Sequence, residues 1–207
     1  MKKIKNFQII ELNKIKKKDL QQIQKLIKSE NPSSIIASFD YGLLKEYLKK
    51  IVFSKNTLLY VMKLKGVIIS YIIIIKELKR LNFIFSDIKM RLIISLFLNL
   101  KFFILLNLFI SFYELDIIFL SKKNKLILKD NFNLNLFAVE KNYQSKGFGT
   151  LFLKEIFNKI KNKTKYMTVE TIDFKATKFY SRKHKFKLIG SRIRFPNNQQ
   201  VMIKRII

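Results

Sequence analysis

Apolar residues recur along this chain with two periods, one suited to strands and one to helices. Residues 4–12 alternate enough to predict a first strand. From Lys18 to Ser29, residues Leu20, Ile23, Leu26 and Ile27 form a helical stripe. Asn31, Pro32, Ser33 and Ser34 read as a stop followed by a new cap. Apolar positions 35, 36, 39, 43, 44, 47, 48 and 51 then predict one amphipathic helix from Ile35 to Val52. Thr57 to Met62 and Val67 to Ile75 flank a turn ending at Gly66 and should pair as a hairpin. The continuous β-branched run Ile72 to Ile75 suits a central buried strand. Leu134 to Val139 is the next strand and Gly149 to Lys161 its helix. A strand over Tyr166 to Thr171, a helix over Lys175 to Lys183, and strands over Phe186 to Arg194 and Gln200 to Ile206 complete the pattern. There are no internal repeats.

The junction between Val139 and the helix after it holds the clearest chemistry. An apolar strand runs into Gln144, Ser145, Lys146, Gly147, Phe148, Gly149 and Thr150, and a helix follows at once. Glycine has no Cβ, so backbone there can approach an anion closely. The free N–H groups of a helix's first turn, and its dipole, favour negative charge at the same place. Lys146 adds a mobile cation. Two of the chain's 5 glycines stand one residue apart here. The spacing excludes a dinucleotide fingerprint, which needs a third glycine where Phe152 stands, and a P-loop, which ends Gly-Lys-Ser/Thr. Taken alone, the loop fits a phosphate-bearing ligand or a plain turn.

Residues 143–150 resemble the Q/R-x-x-G-x-G/A motif of the GNAT acyltransferase superfamily, which binds the pyrophosphate of acyl-coenzyme A. That family's next motif is a strand, then N-x-x-A-x-x-F-Y and a short helix leading to Gly-Phe. Here the strand Tyr166 to Glu170 is followed by Asp173, Ala176, Phe179 and Tyr180 at matching positions. The resemblance runs closely from Leu134 to Arg194 and more loosely through the N-terminal half. It implies an α/β fold of the acyl-CoA N-acyltransferase type: a mixed, mostly antiparallel central sheet flanked by helices, in one domain over residues 1–207. It also implies a donor, acetyl-CoA or another acyl-CoA, and an N-acetyltransferase reaction on a primary amine. Backbone groups of Phe137, Ala138 and Val139 would take the pantetheine arm. Gln144, Ser145, Lys146, Gly147, Phe148, Gly149 and Thr150 would hold the pyrophosphate. Asp173 stands where the family has its asparagine and is carried over as a cofactor-binding position. Tyr180 matches the tyrosine that protonates the departing thiolate; the plainer reading is an ordinary aromatic contact. Phe179 reads as core.

Three departures accompany the match. Asp173 is an acceptor-only carboxylate where an amide donor is usual. His184, Lys185 and Phe186 replace the terminal Gly-Phe with one extra residue. Asn133 stands where a glutamate often begins the glycine-loop strand. No general base is therefore assigned; Glu114, Asp116 and Asp130 are near in sequence, and water would also serve. His184, the only histidine, reads as a surface residue from its basic setting. Metal-ligand spacing is absent from the sequence. The departures also leave open a protein that binds coenzyme A without turnover.

Residues 81–120 form an apolar helical insertion where many GNAT proteins have a short turn. Leu92 to Tyr113 carries a single charge, Lys101, at mid-segment, where insertion into a bilayer costs about 3 kcal/mol. A span there would also divide the family's sheet across the membrane, so a span is rejected. The expected alternatives are helices packed on the sheet or on a second subunit in a homodimer. A further alternative is peripheral contact of residues 89–113 with an anionic membrane, through Lys89, Arg91 and Lys101. The stretch from Asn31 to Asp40, with the insertion, resembles a GNAT group associated with surface-glycan biosynthesis; this suggests an amino sugar of a glycan precursor as acceptor.

Composition changes the picture in two ways. The formal charge of +28 rests on Lys+Arg 42 against Asp+Glu 14. Codon bias can explain abundant lysine but not scarce acid, so attraction to a polyanion is expected. Lysine is spread along the whole chain without a compact RNA-binding motif, which keeps nucleic acid a minor reading. The lack of cysteine fits a reducing, cytoplasmic compartment, and the N-terminus shows no signal-peptide core.

Overall fold

The structure is a computed structural model that describes residues 7–32, 34–76, 106, 110, 120–121, 124, 126–127, 131–193 and 197–206. Most of the insertion at 81–120 lies outside the described residues. So do Lys89, Arg91, Lys101, Glu114, Asp116, Asp130 and Arg194. Seven strands form one sheet in the order β1-β2-β3-β4-β5-β7-β6. They are β1 (Phe7–Glu11), β2 (Thr57–Leu64), β3 (Val67–Ile75), β4 (Phe132–Val139), β5 (Tyr166–Thr171), β6 (Lys187–Arg192) and β7 (Gln199–Arg205). β4 with β5 is a parallel pair, whereas β1 with β2, β2 with β3, β5 with β7 and β6 with β7 are antiparallel. This is the mixed, mostly antiparallel α/β sheet that the resemblance implies. The contacts group the chain into two compact units, residues 1–75 with 135–159, and residues 76–134 with 160–207.

In the first unit, helices α1 (Lys17–Glu30) and α2 (Tyr41–Phe53) bury one face each. Ile23, Ile27, Leu44, Leu48 and Ile51 are fully buried, each contributing about 1.5–3 kcal/mol relative to exposure. Gln24 donates to the Tyr41 carbonyl (2.7 Å) and Lys63 pairs with Asp19 (2.7 Å), which fixes α1 against α2 and β2. All residues from Ile68 to Ile75 are buried, so β3 is the central strand its β-branched run predicts. The β2–β3 turn is two residues, Lys65 (φ 50) and Gly66 (φ 79), the left-handed pair that a tight hairpin demands.

The predicted helix over Ile35 to Val52 is corrected. A 3-10 turn (Ile35–Ser38) capped by Ser34 comes first, and α2 restarts at Tyr41. The break is set by Asp40, whose carboxylate accepts the Leu43 N–H (2.8 Å) in extended conformation. Apolar periodicity spans the break because both pieces face the same core. The third helix, α3 (Phe148–Ile160), buries Phe152, Leu153 and Ile156. The Phe152 ring meets Phe137 of β4 edge-on at 6.3 Å, fastening α3 to the strand before it.

The second unit has β5 paired with β7 and β7 with the edge strand β6. Arg192 and Glu170 form an ion pair at 2.6 Å. Gly190 (φ 151) sits at a register shift in β6, and a Cβ there would come 2.4 Å from Leu120 Cδ2. Between β5 and β6, α4 (Phe174–Lys178) widens into a π-helical turn over Phe179–Lys183. The predicted helix over Lys175 to Lys183 thus starts one residue earlier and changes pitch midway. Among the described residues, no helix is long and apolar enough to cross a membrane.

Candidate active site

β4 ends by alternation that can be read bond by bond. The Glu140 N–H donates to the Ile69 carbonyl (2.8 Å) and Ser70 Oγ to the Ala138 carbonyl (2.6 Å). Even-numbered residues here thus direct backbone groups at β3, and Phe137 and Val139 direct theirs at the opposite edge. Pairing of β4 with β5 covers only Phe132, Asn133 and Leu134. A 3-10 turn over Lys141–Tyr143 then leads to the glycine turn.

Two residues of that turn are left-handed, Ser145 (φ 58) and Gly147 (φ 87). A Cβ added at Gly147 would meet nothing within 4 Å, so glycine is required there by φ rather than by space. Leu151 makes the first bond of α3, to the Gly147 carbonyl (3.0 Å). The N–H groups of Phe148, Gly149 and Thr150 have no acceptor among the described residues, as a helix start leaves them. Free donors at the start of a helix of 13 residues are the arrangement that can take an anion. Lys146 and Ser145 are exposed beside it, whereas the Phe148 side chain is buried against the Tyr143 ring (5.6 Å), leaving only its backbone for a ligand. Gln144 is engaged differently: its Nε2 donates to the Val139 carbonyl (2.8 Å) and to Glu30 Oε2 (2.9 Å). Its amide braces the turn.

In the second unit, Tyr180 is 5 % exposed, with its ring between Phe179 (5.3 Å) and Phe186 (5.5 Å). Burial pushes its phenol well above the ordinary tyrosine range, so it holds its proton at any working pH. The contact with Phe186 belongs to a helix stop. Phe186 N–H donates to the Tyr180 carbonyl (3.1 Å) and Lys185 N–H to the Ser181 carbonyl (3.1 Å), with Lys185 left-handed (φ 60). These bonds reach one residue further back than the six-to-one and five-to-two bonds of a Schellman motif, a stop widened by the π turn, and the apolar contact of Phe186 with the residue six earlier is kept. Lys185 occupies the left-handed position that glycine favours, which gives the departure at Lys185 and Phe186 a geometric meaning.

His184 is a correction: it is buried (6 % exposed), not a surface residue, and lies edge-on to Phe179 at 4.8 Å. Burial, helped by the Lys204 ammonium, lowers its pKa to about 4, so the imidazole is neutral at pH 7. Lys204 Nζ donates to the His184 carbonyl (2.8 Å). Asp173 is exposed and caps α4, accepting from the Lys175 (3.0 Å) and Ala176 (3.2 Å) N–H groups. Asn133 is buried and donates to Thr168 Oγ1 (3.0 Å), bridging β4 and β5. In the first unit, sequence reasoning missed Glu30, which touches the 140–147 turn from the end of α1; no local pattern marks it. Among the described residues there is no His/Cys/Asp/Glu group fit for a metal ion.

No protein-family model matches the sequence, and no curated protein matches it. Solved structures do match in fold. The ribosomal-protein-S18-alanine N-acetyltransferase from Escherichia coli superposes with a TM-score of 0.59 at 11 % identity, over 97 % of this chain and 94 % of that one. A Drosophila melanogaster polyamine N-acetyltransferase that forms N-acetylagmatine gives 0.59 at 10 %, over 96 % and 100 %. A GNAT-family acetyltransferase from Streptococcus pneumoniae gives 0.56 at 14 %, over 98 % and 100 %. Across nearly its whole length, this chain has the fold of the GNAT N-acetyltransferases.

Proposed function

We propose that this protein is an acyl-CoA-dependent N-acyltransferase that moves an acetyl group from coenzyme A to a primary amine. The observation that carries the reading is the glycine turn: left-handed Gly147 at φ 87 leads straight into first-turn N–H groups of α3 that lack an acceptor among the described residues, in a fold whose solved examples include acetyltransferases of two amine classes. Those donors, with Lys146, suit the diphosphate of an acyl-CoA. Phe137 and Val139 present strand backbone at the edge away from β3, which suits the amides of a pantetheine arm.

The amine nitrogen attacks the thioester carbonyl, forming the C–N bond. The resulting tetrahedral centre collapses with cleavage of C–S, and the sulfur takes the electron pair. Tyr180 is assigned to protonate that thiolate. Its buried phenol arrives protonated, as the role needs, and the proton shed by the amine restores it. His184 is excluded as base, because an imidazole with a pKa of about 4 takes a proton from an ammonium too weakly to help. The acceptor enters as the neutral amine or loses its proton to water.

The acceptor we favour is an amino sugar of a glycan precursor, on the resemblance of Asn31 to Asp40. Thiol release from acetyl-CoA across amino-sugar nucleotides, agmatine and an alanine-terminated peptide tests both levels. Release with the sugars alone supports the finer reading, release with another amine replaces it, and no release with any amine removes the enzyme. A second reading, coenzyme A binding without turnover, is favoured by Asp173, whose two oxygens are spent on its own helix cap.

A further inference from the structure

Glu30 ends α1 and is one of only 14 acidic residues in a chain of net charge +28, yet it reaches the turn that leads into the anion cradle. Its Oε1 accepts the Lys141 N–H (3.3 Å) and its Oε2 accepts Gln144 Nε2 (2.9 Å). Gln144 Nε2 also donates to the Val139 carbonyl (2.8 Å), so both of its hydrogens are used. One carboxylate therefore grips the start and the end of the 3-10 turn, while one amide ties that turn back to the end of β4. Just beyond Gln144, Ser145 and Gly147 hold positive φ. For Ser145 that conformation is disfavoured by its Cβ and persists only where surrounding bonds fix it.

Glu30 is itself fixed from behind. Asn31 caps α1 on the Ile27 carbonyl (3.2 Å), and its Nδ2 donates to the buried Tyr71 hydroxyl (2.6 Å). Tyr71 lies in β3 with no exposure. Ser34 closes the same turn through the Asn31 carbonyl, with N at 3.0 Å and Oγ at 2.8 Å. A chain of bonds thus runs from the sheet through Asn31 and Glu30 to the glycine turn. A carboxylate placed there for charge alone would oppose a bound diphosphate, so its geometry must outweigh its sign.

We infer that Glu30 is a positioning residue for the donor site: through Lys141 and Gln144 it holds the 140–147 turn in the conformation that presents the cradle. This rests on the proposed acyl-CoA reading, and two measurements separate the two. The first needs no ligand: amide hydrogen exchange of residues 140–147 in Glu30→Ala, Glu30→Gln and wild type. Glu30→Ala should speed exchange across the turn at least tenfold with α3 beyond Leu151 unchanged, and Glu30→Gln, which keeps one of the two acceptor oxygens and sets an NH2 against the other donor, should fall between Glu30→Ala and wild type. The second is calorimetric binding of coenzyme A. Glu30→Ala should weaken it about tenfold, the loss of bonds to a charged acceptor, with Glu30→Gln between Glu30→Ala and wild type. Gln144→Ala should weaken it similarly, and the double variant no further than either alone. If Glu30→Ala leaves exchange unchanged, or both Glu30 variants bind coenzyme A more tightly than wild type, the carboxylate only repels the ligand and the positioning role is overturned. If wild type fails to bind coenzyme A while Glu30→Ala loosens the turn, the donor reading falls and the clamp stands.

Discussion

The glycine turn at 144–150 and the helix stop at 179–186 meet a similar demand, placing one chemical group accurately, by opposite means. The turn is exposed and works through backbone: left-handed Ser145 and Gly147, and donors at the start of a long helix. The stop buries Tyr180, His184 and Phe186 and works through side chains: Tyr180 against two phenylalanines, with His184 edge-on to Phe179. A backbone device depends on φ and on braces such as Gln144, so it tolerates many side chains and few conformations. A packed device tolerates ring-for-ring exchange and little change in polarity.

The largest effect that sharpens this contrast should come from Gly147→Asp. It forces a Cβ into φ 87, costing about 1–2 kcal/mol, and puts a carboxylate into the cradle. Coenzyme A binding by calorimetry should vanish while the far-UV spectrum keeps its native form. Undiminished binding would mean that the backbone device holds no anion.

Tyr180→Phe comes next. The ring contacts remain and only the hydroxyl is lost, so turnover should fall about 100-fold with coenzyme A affinity unchanged. Equal turnover in the variant would return Tyr180 to a purely structural contact.

His184 gives an effect of middle size. Its folded pKa of about 4 lies below the unfolded value near 6.5, so the unfolded chain binds more protons between those limits. Stability attributable to His184 is therefore undiminished above pH 6.5 and declines as pH falls toward 4. The melting temperature should drop roughly 5 °C more between pH 7 and pH 5 in wild type than in His184→Gln. Parallel curves would contradict the buried neutral imidazole.

The smallest pair probes the caps. Lys185→Gly relieves a left-handed lysine and should raise stability by about 1 kcal/mol in thermal melts. Asp173→Asn keeps a good N-cap, so stability should move by less than about 0.5 kcal/mol. If the carboxylate is what limits turnover, the same variant should raise it.

The contrast also explains what could be read beforehand. The turn was legible because its chemistry is local: strand, two glycines and helix sit in sequence, and the structure keeps that order. Sheet strands β2, β3 and β5 were equally legible from alternation and β-branching. The burial of His184 was hidden, since its flanking Arg182, Lys183 and Lys185 describe a surface, and only contact with Phe179 and Lys204 inverts that. The break at Asp40 was hidden too, because a capping carboxylate and a helical polar position look alike until the hydrogen bond to Leu43 is known. Glu30 could not be found at all, as its partners lie more than a hundred residues away.

The π-helical turn at Phe179–Lys183 has a consequence for how this chain tolerates change in length. A π turn holds one residue more than an α turn over the same contour. The extra residue at His184 to Phe186 is therefore stored as a local widening, and Phe186 still arrives on Tyr180. The segment acts as slack in the chain: a deletion there can be absorbed by tightening the coil, without shifting the register of the strands on either side.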